Sequence, residues 1–125
     1  KQRQHLNNNS IVMMLHYGKF KMLLTGDVEK QTEGALVKQY GDKLKADVLK
    51  IAHHGSQTSS IFQFVKVVNP KQAVISCGNR EKYNHPHPKT TGLLKHLQIP
   101  FYNTEDNGEI TIVTDGEGYE LKAKR

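Results

Sequence analysis

Three short stretches of this chain concentrate side chains that can hold a cation or move a proton. They are Asp27 in the string Thr25-Gly26-Asp27, the adjacent pair His53 and His54, and the run from Asn84 to Pro88 that carries His85 and His87. Imidazole nitrogen and carboxylate oxygen suit zinc or manganese, and one carboxylate can bridge two cations through its two oxygens. A pair of cations held in this way lowers the pKa of bound water and stabilises charge on a phosphoryl group, so the chemistry indicated is phosphoester hydrolysis. Each stretch also has a plainer account. Asp27 can form an Asx-turn or cap a helix, His53 can be a hydrogen-bonded core residue with His54 on the surface, and the two His-Pro pairs can make a rigid turn. His5, His16 and His96 fall in no pattern.

A second group of polar residues follows the histidine pair. Ser56, Thr58, Ser59 and Ser60 stand at a predicted helix start, where hydroxyls and amides can hold an anion. Helix capping alone accounts for one of those hydroxyls. Arg80, Lys82 and Lys89 flank the histidine run and are of the type that neutralises a backbone phosphate; a solvated charged loop is the alternative for any one of them.

The elements that must position these groups can be read from apolar spacing. Ile11 to His16 and Phe20 to Leu24 form two apolar-rich runs around Gly18, the pattern of a β-hairpin. Val28, Ala35, Leu36 and Tyr40 place one stripe on a helix from about residue 29 to 40, which Gly41 stops. Val48 to Ala52 is too short for a helix and predicts a buried strand ending at the histidine pair. Ser59 or Ser60 then caps a helix that carries Ile61, Phe64, Val65 and Val68 and ends at Asn69-Pro70. Ala73 to Ser76 predicts another strand. A helix from about Pro88 to Leu97 turns Leu93, Leu94 and Leu97 inward. From Phe101 on, the period is that of strands, with a hairpin turn expected at Asn107-Gly108, a second turn at Asp115-Gly116, and a last strand from Tyr119 to Ala123. Helices between the middle strands imply parallel pairing, and parallel strands would present Asp27, His53 and His54, and His85 and His87 at one rim of the sheet, where ligands bind in α/β folds.

Composition sets the outer bounds. The 125 residues, 36% hydrophobic and 24% charged, suit one globular domain or part of one, with residues 1–9 as a flexible lead-in. No run approaches the roughly 20 apolar residues of a membrane span, and the first ten residues have no signal-like apolar core. The reading is of a soluble piece. The lone Cys77 excludes an internal disulfide and a cysteine-zinc cluster. A net charge of +6 and a pI near 9.4 suit polyanionic partners, while dispersed lysines that only maintain solubility account for the same charge.

Taken in order, the strings NNNSIV, LLTGD, VLKIAHHGSQTSS, AVIS with the following glycine and asparagine, YNHPHP and a late TDG resemble the C-terminal hydrolase domain of the ComEC family of DNA-internalisation competence proteins. They are also similar to free-standing proteins with the metallo-β-lactamase fold. The resemblance spans residues 7 to 116 and implies the C-terminal half of an αββα sandwich with a mixed sheet and flanking helices. It implies that Asp27 is a ligand shared by two divalent metals, zinc or manganese. It implies that His53 or His54 is a second ligand, with His53 nearer the strand end and His54 facing substrate, and that His85 is a ligand or a substrate contact. Asn79, Arg80, Tyr83 and His87, together with Ser56, Thr58 and Ser59, then fall on the substrate side. Asn84 stands where the family's string usually has glycine, a mild departure because asparagine tolerates left-handed backbone.

One family feature is missing. The early His/Asp cluster that supplies the rest of the metal site has no match, since the 26 residues before Asp27 contain His5 and His16 and no acidic residue. The expectation is therefore a fragment with an incomplete metal site, inactive alone and binding metal weakly. Its parent would be a nuclease or phosphodiesterase acting on DNA, as single strand, during uptake. The remainder of the hydrolase domain and a membrane channel would lie in the same chain, with this domain on the outer side of the bacterial cytoplasmic membrane and with no small-molecule cofactor. The competing classes are a non-catalytic basic nucleic-acid-binding module and a small-phosphoester hydrolase on the same fold.

Overall fold

The computed structural model describes residues 11–52, 59–77 and 86–124. Five strands form the main sheet in the order β1-β2-β3-β4-β5: β1 is Met13–Tyr17, β2 Phe20–Leu24, β3 Val48–Lys50, β4 Gln72–Ile75 and β5 Phe101–Asn103. The first two pair antiparallel around Gly18, which sits at φ 58°, and the remaining pairs are parallel. Helix α1 (Lys30–Tyr40) and a 3₁₀ turn (Gly41–Leu44) link β2 to β3; α2 (Phe62–Val68) links β3 to β4, and α3 (Pro88–His96) links β4 to β5. Strands added in one direction with every helix on one face are what successive right-handed crossovers produce.

The pleat divides the sheet cleanly. Leu23, Leu49, Ala73 and Ile75 point to the helical side, where they are buried with Phe64, Val65 and Val68 of α2, Leu94 of α3 and Leu44. Phe20, Val48 and Val74 point to the other side and are covered by Ile110, Ile112, Tyr119 and Leu121. Those residues belong to a separate two-stranded antiparallel sheet, β6 (Ile110–Thr114) and β7 (Tyr119–Ala123). The order of layers is thus helices, main sheet, small sheet. The mixed sheet with flanking helices that the motifs implied is present.

Three local expectations need correction. Asn107-Gly108 does not turn a hairpin. Asn103 instead accepts a hydrogen bond from the Asp106 amide at 2.7 Å and starts a one-turn helix, α4 (Thr104–Asn107), that ends at Gly108. β5 is consequently a parallel edge strand of the main sheet and not a partner of β6. The buried stripe of α1 runs through Glu33, Leu36 and Val37, while Ala35 and Tyr40 are exposed. Finally, neither Ser59 nor Ser60 caps α2, whose N-cap is Ile61 with no side-chain cap bond of its own.

The turn of the β1–β2 hairpin and the turn between β6 and β7 lock together. The Lys19 amide donates to the Gly116 carbonyl, and a Cβ placed on Gly18 would collide with that same oxygen. Positive φ and backbone contact both exclude a side chain there. Gly18→Ala is expected to destabilise the fold by about 2 kcal/mol or more in urea denaturation, whereas Gly34→Ala, which meets nothing within 4 Å in α1, is expected to be neutral or stabilising.

Candidate functional site

The carboxyl ends of β2, β3 and β4 lie side by side, because the three strands are parallel and in register: Leu24 pairs with Lys50, and Lys50 with Val74. Chain leaving this rim passes through Asp27 after β2, through Ala52 toward His53 after β3, and through Cys77 toward residues 78–85 after β4. His53, His54, Ser56, Thr58, Asn79, Arg80, Tyr83 and His85 lie outside the described residues. Asp27, Ser59 and His87 are within them. Among the described residues no three His, Cys, Asp or Glu side chains gather around a common point. Asp27 supplies a carboxylate of a type that suits zinc or manganese and does not make a site alone.

Asp27 is half-buried and occupies a turn fastened on both sides. Thr25, fully buried, donates its hydroxyl to the Lys50 carbonyl at 2.7 Å, and Val28 closes the turn with its amide on the Thr25 carbonyl at 3.3 Å. Gly26 between them has φ 57°, which a residue without a side chain adopts freely. The N-cap of α1 is Glu29, two residues after Asp27.

The segment after the histidine pair is fastened to the same turn. Ser59, 4% exposed, donates its hydroxyl to the Val28 carbonyl. Ser60 (φ 62°) and Ile61 donate their amides to the two carboxylate oxygens of Glu33, at 2.8 and 2.9 Å. A fully buried glutamate from α1 thereby satisfies two amides at the start of α2. Sequence reasoning did not single out Glu33. The available signal was its position three and four residues before Leu36 and Val37, on the stripe that faces the core.

The histidine run is held at both of its ends. Thr104 Oγ1 accepts from the Cys77 amide at 2.9 Å and donates to the Cys77 carbonyl at 2.7 Å, fixing the chain as it leaves β4. On return, Pro86 is buried, and His87 caps α3 by accepting the Lys89 amide on Nδ1 at 3.1 Å. With Nδ1 accepting, the neutral imidazole carries its proton on Nε2, a donor suited to an anionic oxygen.

Burial raises the Glu33 pKa from 4.5 to about 7, against the lowering effect of the Ile61 and Ser60 amides and of Lys30. Between those two values the folded chain keeps a proton that the unfolded chain has released. Stability therefore falls as pH rises from about 4.5 to about 7 and is level above that window, by on the order of 3 kcal/mol. Glu33→Gln should flatten this slope in denaturation measured across the window. Glu33→Ala, which strands two amides and opens a cavity, should cost roughly 3 kcal/mol or more.

No family profile matches the chain. It is similar to ComE operon protein 3 of Bacillus subtilis, 40% identical over 104 residues, which are 83% of this chain and 13% of that protein. It is 33% identical to competence protein ComA of Neisseria gonorrhoeae over 111 residues, 87% of this chain and 16% of that protein. It is also 33% identical to recombination protein 2 of Haemophilus influenzae over 106 residues, 85% of this chain and 13% of that protein. The chain thus spans 13 to 16% of the length of these curated relatives. The relatives point to the competence-related family that the motifs resemble.

Proposed function

We propose that the chain is part of a metal-dependent phosphodiesterase or nuclease that acts on DNA during competence-related uptake. The observation that carries this reading is the shared rim: three parallel strands deliver Asp27, the chain entering His53 and His54, and the chain entering His85 to one edge of the sheet. The competence names of the relatives support the biological setting. Asp27 would bridge two divalent cations, zinc or manganese; His53 or His54 and His85 would add imidazole ligands, and His87 would meet the phosphate through Nε2. Bound cations would supply polarisation of the phosphoryl oxygens and an activated water.

The work of the chain's own described residues is positional. Thr25, Ser59 and Glu33 hold the Asp27 turn against the segment that follows the histidine pair, and Thr104 fixes the exit toward His85. In the complete protein, chelator-sensitive hydrolysis of single-stranded DNA should fall by about a hundredfold or more in Asp27→Asn, with the melting behaviour retained. DNA binding that persists with chelator, and no hydrolysis in the unaltered complete protein, would replace this reading with that of a non-catalytic module. Turnover confined to small phosphoesters would keep the site and change the substrate.

The reading also requires a larger domain around the chain, and one surface fits that need. Met13, Leu15 and Tyr17 of β1 pair with Leu24, Met22 and Phe20 and so share the face that the small sheet covers, yet they are 55, 52 and 57% exposed. Two strands are too few to shield a five-stranded face. The rest of a metallo-β-lactamase-type αββα sandwich, contributed by the same parent chain, would complete that layer. A membrane channel elsewhere in the parent, with this domain on its outer side, is part of the same proposal; among the described residues no helix is long and apolar enough to cross a membrane. Leu15→Asp is expected to lower the stability of the complete protein by about 2 kcal/mol and that of the 125-residue chain by less than about 0.5 kcal/mol, compared by urea denaturation.

A further inference from the structure

The helices on the rim side leave a cleft of about 200 Å³ between their starts, lined by Lys30 of α1, Ser59 to Phe62 leading into α2, and Lys89 and Thr90 of α3. Lys30 and Lys89, from two different helices, thus both line one small cavity, and Lys30 follows the turn that carries Asp27 by three residues. The amides of Ser60 and Ile61 are already taken by Glu33, so the attraction of the cleft for an anion lies in the lysines and not in the start of α2. Phe62 adds a large apolar surface where the cleft meets solvent. Phe62 is 41% exposed, and the Lys66 ammonium lies 5.4 Å from the centroid of its ring.

Cations on separate elements beside an exposed aromatic ring are the combination that grips single-stranded nucleic acid, with lysines neutralising successive phosphates and the ring stacking a base. We propose that this cleft is a binding site for single-stranded nucleic acid, separate from the reacting groups. In it Lys30 and Lys89 neutralise backbone phosphates, and Phe62, with Lys66 over its ring, takes the neighbouring base. Duplex offers no unstacked base to the ring and engages the cleft less well. The choice of ligand class rests on the function proposed above; the site itself rests on the cleft.

The test is the affinity of the complete protein for a fluorescent oligothymidylate, by anisotropy over a salt series with chelator present so that no hydrolysis intervenes. Replacing both Lys30 and Lys89 by Ala is expected to weaken binding about tenfold or more and to reduce the slope of log affinity against log salt by about 1.4, near 0.7 for each lost phosphate contact. Phe62→Ala is expected to weaken binding without changing that slope. Lys38→Ala with Lys122→Ala removes the same charge away from the cleft and should have little effect. An unchanged affinity in the Lys30/Lys89 variant, an equal loss in the Lys38/Lys122 variant, or equally tight binding of a polyglutamate peptide would overturn the inference. A protein that hydrolyses DNA but binds independently of the cleft defeats this inference alone. One that binds through the cleft and never hydrolyses defeats the proposed function alone.

Discussion

The arrangement of the rim depends on one buried carboxylate. Glu33 spans the gap between α1 and the start of α2, and with the Ser59 to Val28 bond it ties together two pieces of chain that approach the rim from different strands. A neutral side chain of equal size would escape the desolvation that raises its pKa. It would not offer two acceptors spaced for two adjacent amides. The fold has accepted a desolvation cost at this position and gains two acceptors that fix α1 against the start of α2.

The same economy is visible around the sheet. At the amino ends of the strands, Asp47 accepts the Lys21 amide at 3.0 Å, and its own carbonyl takes the Lys71 amide at 2.8 Å, so one residue spaces β2, β3 and β4 at the end remote from the rim. At the carboxyl ends Thr25 and Thr104 do comparable work with short hydroxyl groups. Loops that emerge from such an edge have fixed ends whatever they do between them, and fixed ends are what allow catalytic groups on loops to meet.

Much of the architecture was legible because the deciding residues announce themselves locally. Gly18 at a turn, Asn69 in the left-handed conformation at the end of α2, and Pro88 at the first position of α3 are placed by backbone geometry that other residues adopt poorly. The parallel order followed from helices lying between short apolar runs. What failed were features decided by distant partners. Glu33 meets the Ser60 and Ile61 amides only because α2 packs against α1, and β5, three residues long, has no internal signal that separates a parallel edge from a hairpin arm. Asn107-Gly108 has the composition of a hairpin turn, but Asn103 satisfies the amide of Asp106 first and winds the chain into α4. In the candidate site, the location of Asp27 at a strand end was readable from its neighbours. The long-range bonds that hold its turn were not, because Lys50 and Ser59 lie more than twenty positions away.

The contact between Gly18 and Gly116 joins the first turn of the described chain to almost its last. The strands of the main sheet, by contrast, pair in the order in which they are made. During synthesis the sheet can therefore assemble piece by piece behind the ribosome, while the layer that covers its second face must wait for β6 and β7. Until β6 and β7 emerge, Phe20, Val48 and Val74 remain open to any other apolar segment nearby, so a nascent chain halted between β5 and β7 is the form most exposed to mispairing and to capture by chaperones.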